Sequence, residues 1–382
     1  MALRRDSSKS RRHALNAELV LMAQQLADVG PNINEIARRL RQFKETVRYR
    51  YHRFFLDKGI SLQAMLSYQK LGFKRLVLIV KLAPECEANA RVIFDELNNH
   101  CYLRSFTRVM LTGEFVVHVA VPSELAVECA AVYTALQKTG LFKELEILEF
   151  EEMRNPPMKP DSFDFVRGVW SFDWNSLAAK EARLPPSGTP KVEKYDKVDL
   201  LILKELDIDA GRKLVKMAQN VGVKLNALEF HYREHVQARG LISGYRLVWQ
   251  GSRFERAWGV PGEDAYIELT ILLNDSTRSE VAELMLLLRM TPFLWSESRG
   301  LTYCAEMFLP NYAYADFLKY IDKFANKAGQ KLRIFVMDQS RAVRFVISYP
   351  LFHAESRKWQ LDTRAVLRTL GRLAPPTSLD FA

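Results

Sequence analysis

The apolar residues between positions 196 and 240 recur at helical spacing in three short consecutive runs. The third run places Leu225, Leu228 and Tyr232 on one stripe of a helix. It ends at Gly240, because glycine adopts the left-handed C-cap conformation more easily than other residues do. Three short helices in succession predict a helix-turn-helix.

The residues after Gly240 read LISGYRLV (241–248), which indicates a β-strand rather than a fourth helix. A strand that directly follows a helix-turn-helix is typical of a winged helix-turn-helix. The sequence therefore predicts a winged domain over residues 196–250.

The segment 14–68 repeats this pattern at a constant offset of 181 residues. The aligned pairs are Ile33 and Leu214, Ala37 and Ala218, Val47 and Leu228, Tyr51 and Tyr232, Phe54 and His235, Phe55 and Val236, and Gly59 and Gly240. A fixed offset across a whole domain indicates an internal duplication. The chain is therefore predicted to contain two winged domains.

A second pattern follows each winged segment, over residues 69–152 and 260–338. In both copies the apolar runs predict the order strand, helix, strand, strand, helix, strand. This is the order of a ferredoxin-like domain, which has two helices on one face of an antiparallel sheet. The predicted fold class is α+β, with two winged helix-turn-helix domains alternating with two ferredoxin-like βαββαβ domains.

Three further segments complete the predicted organisation. Residues 1–13 are polar and basic without an apolar period, so they are predicted to form a flexible arm. Residues 153–195 are a proline-rich linker, and its aromatic insert FDFVRGVWSFDW (163–174) is expected to dock on a neighbouring domain. Residues 339–382 form a C-terminal extension with an apolar strand and a short amphipathic helix.

The run RGLISGYRLVW (239–249), placed after a helix-turn-helix, resembles the N-terminal domain of the Lrp/AsnC (feast/famine) transcription regulators. The runs LGF (71–73) and TGEF (112–115) are similar to motifs of the RAM domain, the ligand-sensing domain of that family, although Val116 stands where an aspartate often follows. The resemblance implies a sequence-specific DNA-binding regulator. Because RAM domains pair through their sheets in this family, it also implies an intrachain pseudo-dimer, with further assembly into a homo-oligomer left open. A small-molecule effector such as an amino acid would bind at Thr112, Gly113, Glu114 and Phe115.

The net charge of +10 is concentrated near the N-terminus. Residues 1–60 hold thirteen Lys and Arg against six Asp and Glu, a net charge of +7, which leaves +3 for the other 322 residues. Each Lys or Arg near a nucleic-acid backbone releases condensed counterions, so a basic N-terminal region favours binding to double-stranded DNA. A solvated basic tail is the alternative interpretation.

The third helix of the first winged domain is expected to read the DNA. With its apolar stripe turned inward, the opposite face suits the major groove, where Arg can form a bidentate pair with guanine. The predicted DNA-binding residues are Arg38, Arg39, Arg41, Lys44, Glu45, Arg48, Tyr49, Arg50, His52 and Arg53. In the second copy Glu229 and Glu234 take the places of Arg48 and Arg53, so we expect a weaker or protein-facing contact there.

The cysteines and the hydropathy exclude several classes of protein. Cys86, Cys101, Cys129 and Cys304 are scattered without a CxxC pair, so neither a disulfide framework nor a zinc finger is predicted. The sequence has no apolar run of about eighteen residues, and its basic start is not followed by a signal-peptide core. We expect a cytoplasmic protein without a membrane partner.

Two enzyme hypotheses compete with the regulator. The run HYREH (231–235) matches HxxEH, in which two histidines bind zinc and a glutamate acts as the base. This motif is short, and Phe54 occupies the position of His235 in the first copy, which favours a packed helix residue. Siroheme decarboxylases also resemble Lrp/AsnC proteins and pair two such modules, so they are the alternative function. The prediction is a protein without enzymatic activity, with no catalytic residue, no metal ion and no cofactor.

Overall fold

The computed structural model describes residues 2–150, 152–154, 160–174, 190–249, 257, 266–288, 295–299 and 301–375. The α-helices of this part of the chain are α1 Ala2–Val29, α2 Ile33–Leu40, α3 Lys44–Arg50, α4 Ala90–His100, α5 Ala126–Lys138, α6 Lys197–Ile208, α7 Leu214–Val221, α8 Leu225–Phe230, α9 Arg278–Leu288, α10 Tyr314–Ala328 and α11 Thr363–Gly371. Its strands are β1 Ser61–Leu66, β2 Phe73–Leu82, β3 Leu103–Val109, β4 Phe115–Pro122, β5 Phe142–Phe150, β6 Glu152–Arg154, β7 Phe163–Asp164, β8 Val169–Trp170, β9 Ile242–Val248, β10 Tyr266–Leu273, β11 Trp295–Arg299, β12 Thr302–Pro310, β13 Leu332–Arg344, β14 Phe352–His353 and β15 Lys358–Trp359. Much of the predicted linker, the boundary after the second winged domain and the last residues of the predicted extension lie outside the described residues.

The third helix of each winged domain changes from an α-helix to a π-helix in its second half. The π-helical segments are Tyr51–Leu56 and His231–Gln237. A π turn contains more residues than an α turn, so it rotates the following side chains about the helix axis. Phe55 and Val236 therefore lie in the core, whereas Phe54 is only half-buried.

The wings of the two winged domains pair with each other. Strands β1 and β9 form a two-stranded antiparallel sheet in which Leu62 lies opposite Leu247, and both leucines are buried. Tyr245 of β9 also packs against the end of α1, where Gly30 has φ +67° and a Cβ atom would lie 2.6 Å from the tyrosine ring. The wing of the second domain thus contacts both the wing and the first helix of the first domain.

The two ferredoxin-like domains share one nine-stranded antiparallel sheet with the order β5-β2-β4-β3-β13-β10-β12-β11-β6. Strand β13 pairs with β10 in its first half and with β3 from its middle onward. Strand β6, which follows β5 after a single residue, pairs with β11 at the opposite edge. The sheet therefore closes on itself, and the two copies dock within one chain as predicted.

Alternate residues of these strands point into the closed sheet. Part of the interior is an apolar cluster of Val77, Ile79, Val109, Val116, Phe150, Leu272, Cys304, Phe335 and Met337. The same alternation buries the polar residues Arg75, Thr107, His118, Glu268, Thr270 and Glu306. Burial of charged groups is costly unless they are paired, so this polar part of the interior requires a functional explanation.

The aromatic insert and the C-terminal extension form the same small unit, a hairpin with a Phe–Trp cross-strand pair. In the first hairpin, β7 and β8, Phe163 lies opposite Trp170, and in the second, β14 and β15, Phe352 lies opposite Trp359. The indole N–H of Trp170 donates to the hydroxyl of Tyr266, the first residue of β10, at 3.3 Å. Trp170 thus contacts the second ferredoxin-like domain, although the insert follows the first one along the chain.

Trp359 packs against the first ferredoxin-like domain. Its ring lies edge-on to Phe73, the first residue of β2, with centroids 5.0 Å apart, and its N–H donates to the Tyr195 hydroxyl at 2.9 Å. The prediction that the aromatic insert docks on a neighbouring domain is confirmed by the hydrogen bond from Trp170 to Tyr266. The extension repeats the Phe–Trp hairpin of the insert. The tryptophan of the insert contacts the second ferredoxin-like domain, and that of the extension contacts the first.

Both ends of the described chain are helical. Residues 2–13, predicted as a flexible arm, are the first turns of α1, a segment rich in the good helix formers Ala, Leu and Arg. The predicted amphipathic helix of the extension is α11, where the Asp362 carboxylate caps the first turn by accepting from the Ala365 N–H at 2.9 Å. None of the helices in the described ranges combines the length and the apolar character needed to span a bilayer.

Candidate functional site

A cavity of about 280 Å³ lies where the paired wings meet the closed sheet. Its walls come from β1 and β9, from the end of α6, and from strands of both ferredoxin-like domains. Four arginines line it, namely Arg75, Arg104, Arg246 and Arg344. Because the two halves of the duplicated chain meet here, the cavity exists only when both copies are docked.

Three of the four arginines are held by a neighbouring group. Arg104 Nη2 donates to Asp207 Oδ2 at 2.7 Å, and Arg246 Nη2 donates to Gln63 Oε1 at 2.6 Å. The Arg75 guanidinium lies over the Tyr68 ring, 4.9 Å from its centroid. These contacts fix the positions of the guanidinium groups before any ligand arrives.

The positive charge in the cavity is not fully balanced. Burial and the neighbouring Arg344 lower the pKa of Arg246 to about 10. Burial alone would lower the pKa of Arg104, but the Asp207 carboxylate outweighs this effect and raises it. Arg104 Nη1 is buried and has no hydrogen-bond partner among the described residues. An anion in the cavity would relieve the repulsion between the arginines and satisfy this nitrogen.

An acidic group lies beside the arginines. Glu306 of β12 lines the cavity, and its Oε1 lies 2.8 Å from Nε2 of His118 on β4. Burial and the negative charge of Glu306 raise the pKa of Glu268 on β10 to about 7. Two buried carboxylates that repel each other retain a proton near neutral pH, so the interior of the sheet holds a proton close to the cationic cavity.

The residues predicted to bind DNA lie on a different surface. Arg48, Tyr49, His52 and Arg53 are exposed on the third helix of the first winged domain, and so are Arg41, Lys44 and Glu45. Arg50 is half-buried and forms an ion pair with Glu18 of α1. Arg38 and Arg39 both bind the Glu35 carboxylate, and these hydrogen bonds lower the pKa of Glu35 to about 2.

The residues predicted to bind an effector form the turn between β3 and β4. Thr112 is exposed and donates its hydroxyl to Glu114 Oε2 at 2.9 Å, Gly113 has φ +74°, and Phe115 is buried. None of the four residues lines the cavity described above. The structure therefore brings together a different set of residues from the one predicted.

The sequence contains a signal for the buried ionisable residues beside the cavity that its motifs do not include. His118 interrupts the apolar strand FVVHVAVP, and Glu268 and Glu306 interrupt YIELTILL and TYCAEMFLP in the same way. An ionisable residue on the buried face of a strand is unusual and indicates a partner or a function. The pattern did not indicate that these residues converge, because they come from both copies.

No protein-family model matches the sequence, and no curated protein matches it either. A solved structure of the siroheme decarboxylase NirDL is similar to this chain, with a TM-score of 0.50 and 10% sequence identity over 88% of this chain and 93% of that chain. A second structure of NirDL, in co-complex with an iron-uroporphyrin III analogue, has a TM-score of 0.48 at the same identity and coverage. At this level of identity, the likeness establishes a shared fold alone.

This comparison contradicts the expectation of a protein without enzymatic activity. The solved structure that shares the fold over 88% of the chain is that of an enzyme. The combination of two winged and two ferredoxin-like domains therefore does not identify a DNA-binding regulator, and it gives no reason to exclude catalysis.

Proposed function

We propose that the protein is an enzyme that removes carboxyl groups as CO2 from a carboxylate-bearing tetrapyrrole such as siroheme. The observation that carries the proposal is the cavity in which four arginines lie beside buried Glu306. Arginine is the residue best suited to bind carboxylates, because its planar fork donates two parallel hydrogen bonds. The NirDL fold, whose enzyme acts on siroheme, supports the choice of substrate. A cavity of about 280 Å³ suits the carboxylated edge of a tetrapyrrole rather than the whole ring.

The proposed reaction needs no oxidant. The bond between the carboxyl carbon and its neighbour breaks, CO2 leaves, and the electron pair stays on the neighbouring carbon, where the tetrapyrrole ring delocalises it. Glu306 delivers a proton to that carbon, taking over the proton that Glu268 holds near neutral pH, and Glu268 is reprotonated from solvent. His118, 2.8 Å from Glu306, orients the carboxyl group as a positioning residue.

Removal of two cavity arginines should weaken substrate binding without loss of stability. We expect the double variant Arg246→Gln, Arg344→Gln to lose about 1.5–3 kcal/mol of siroheme binding for each hydrogen-bonded charge removed. The free energy of unfolding should stay level or rise, because the pKa of Arg246 is lowered by burial and by Arg344, so the charge of Arg246 is unfavourable in the folded protein. Binding is measured from the visible absorbance of siroheme and stability from thermal unfolding.

The matched control is Arg333→Gln. Arg333 forms an ion pair with Glu146 on the same sheet, with 2.6 Å between Nη2 and Oε2, but it does not line the cavity. Siroheme affinity should be unchanged in this variant. For the wild-type protein, the amount of CO2 released should equal the loss of substrate carboxyl groups, which is measured by mass spectrometry. Equal affinity in the double variant and the wild type, or intact siroheme after incubation, would refute the proposal.

We propose double-stranded DNA binding through the first winged domain as the second candidate function. It is favoured by the exposed side of α3 and the following π-helix, where Arg48 and Arg53 are both exposed. The resemblance to Lrp/AsnC regulators and the net charge of +7 in residues 1–60 support the same hypothesis.

The two recognition helices provide an internal test of DNA binding. The double variant Arg48→Ala, Arg53→Ala should lose about 1–3 kcal/mol for a base contact, and the salt dependence should fall by about one unit for each lost phosphate contact. The control is Glu229→Ala, Glu234→Ala at the matching positions of the second copy, which should leave affinity unchanged or raise it. Salt titrations on random duplexes measure both. If the glutamate pair proves as damaging as the arginine pair, the first winged domain is not the main reader.

A further inference from the structure

Four side chains of metal-ligating type converge in the second winged domain, away from the cavity. They are Asp196, Asp199, His231 and His235, and their ligand atoms all lie within 4.8 Å of one another. Nδ1 of His231 lies 2.8 Å and Nδ1 of His235 lies 3.1 Å from the same Asp199 oxygen, Oδ1. Asp196 Oδ1 is 3.7 Å from His231 Nδ1. These separations bracket the spacing of about 3.3 Å that four ligands about 2.0 Å from a tetrahedral zinc ion would have.

The positions of the two carboxylates are set by the start of α6. Asp196 Oδ1 accepts hydrogen bonds from the N–H groups of Val198 and Asp199, and Asp199 Oδ2 accepts from the N–H of Asp196. This reciprocal capping box leaves Asp199 Oδ1 directed at the histidines. Backbone donors thus orient the carboxylates in the way that outer hydrogen bonds orient metal ligands.

The π-helical turn brings the two histidines together. His231 and His235 lie four residues apart within the segment His231–Gln237, and their ring centroids are 4.7 Å apart. The site is accessible, because the side chains of His231, His235 and Asp196 are 18%, 17% and 30% exposed, while Asp199 is fully buried. An ion could therefore enter from solvent and find its ligands arranged.

The first winged domain holds an ordinary ion pair at the same position. At the offset of 181 residues, Glu18 corresponds to Asp199, Arg50 to His231 and Phe54 to His235. Glu18 and Arg50 form a salt bridge that joins the first and third helices. Both copies therefore have a polar side-chain contact between the first and third helices. In the second copy, His231 replaces the arginine and His235 replaces the phenylalanine. The two carboxylates therefore face two imidazoles, which are ligands that favour a metal ion.

We propose that Asp196, Asp199, His231 and His235 bind one divalent transition-metal ion that joins α6 to the third helix of the second winged domain. Two carboxylates supply two negative charges that a divalent ion balances, and imidazole with carboxylate suits Zn²⁺ and its neighbours in the first row. Four protein ligands form a closed site, so the ion has a structural rather than a catalytic role. Glu234 of the HxxEH match is exposed and lies outside the cluster, so the zinc-protease chemistry that this motif suggests is not part of the proposal.

The test uses the full chain without a histidine tag, stripped with a chelator and then titrated with ZnCl₂ and CoCl₂. Isothermal titration calorimetry should give one Zn²⁺ per chain, and Co²⁺ should develop the visible absorption of a low-symmetry site with nitrogen and oxygen ligands. His231→Gln and His235→Gln should each reduce Zn²⁺ affinity by at least about tenfold, because a ligand contributes no less than its supporting groups do.

The decisive control transfers the first copy's residues to the second. The triple variant Asp199→Glu, His231→Arg, His235→Phe reproduces a set that this fold already accommodates at Glu18, Arg50 and Phe54. It should remain folded by circular dichroism and lose the stoichiometric Zn²⁺ site. The proposal is overturned if the wild-type chain shows no saturable binding near one ion per chain, or if the triple variant binds Zn²⁺ as the wild type does.

Discussion

Replacement of Glu306 by glutamine should reduce the turnover of siroheme by roughly 10²–10⁴-fold while leaving KM nearly unchanged. Glutamine keeps the size of the side chain and its contact with the cavity, but it has no acidic proton to donate to the carbon that CO2 leaves. Because the four cavity arginines are proposed to bind the substrate carboxylates, replacement of Glu306 should change substrate affinity little. The measurement is kcat and KM from the rate of CO2 release.

A change in pH should affect the same step in a defined direction. Burial and Glu306 raise the pKa of Glu268 to about 7, so Glu268 loses its proton as the pH rises through that value. Turnover by the wild-type enzyme should therefore fall above about pH 7. The Glu268→Gln variant should show a different dependence of turnover on pH in this range.

An exposed glutamate provides the control for the Glu306 experiment. Glu144 is exposed on β5, where its Oε1 lies 3.5 Å from Lys81 Nζ, and Glu144→Gln should leave kcat and the pH profile unchanged. A decrease of less than tenfold in Glu306→Gln, or a rise in KM that accounts for the whole effect, would show that Glu306 is not the proton donor.

The order of the elements could be predicted from the sequence because the apolar residues follow clear helical spacing in some segments and clear strand patterns in others. The strand predicted at residues 241–248, for example, is β9 at Ile242–Val248, and the predicted helix end at Gly240 coincides with a φ of +63°. The duplication strengthened these predictions, since each copy supported the other. The π-helical turns were missed because a periodicity of 3.6 residues cannot represent a local change of helix type.

The candidate sites could not be predicted in the same way. Arg104 and Arg246 are 142 positions apart and lie on β3 and β9, so only the docking of the two halves brings them to one cavity. Asp199 and His231 come from two helices of one domain, and only the packing of these helices against each other brings them together. The HYREH run was correctly read as part of a helix, but its partners on α6 carry no motif.

Loss of either exchanged tryptophan should destabilise the protein strongly. Trp359 is 8% exposed, and Trp359→Ala removes its contacts with Phe73, Tyr102 and Phe352 together with the hydrogen bond to Tyr195. Truncation of a buried tryptophan costs about 3–5 kcal/mol, because apolar burial is lost and a cavity remains.

Because the tryptophan of each hairpin contacts the ferredoxin-like domain of the other half, the effect should extend beyond the hairpin itself. Trp170→Ala should have a similar cost, since Trp170 is 5% exposed and contacts Tyr266 and Trp249 of the second half. The measurements are the urea-unfolding midpoint and the hydrogen-exchange protection of β2 and β10. Protection should fall in β2 for Trp359→Ala and in β10 for Trp170→Ala.

Lys358→Ala, at an exposed position of the same hairpin as Trp359, should change stability by no more than about 0.5 kcal/mol. If Trp359→Ala resembles this control, the exchanged hairpins do not hold the two halves together.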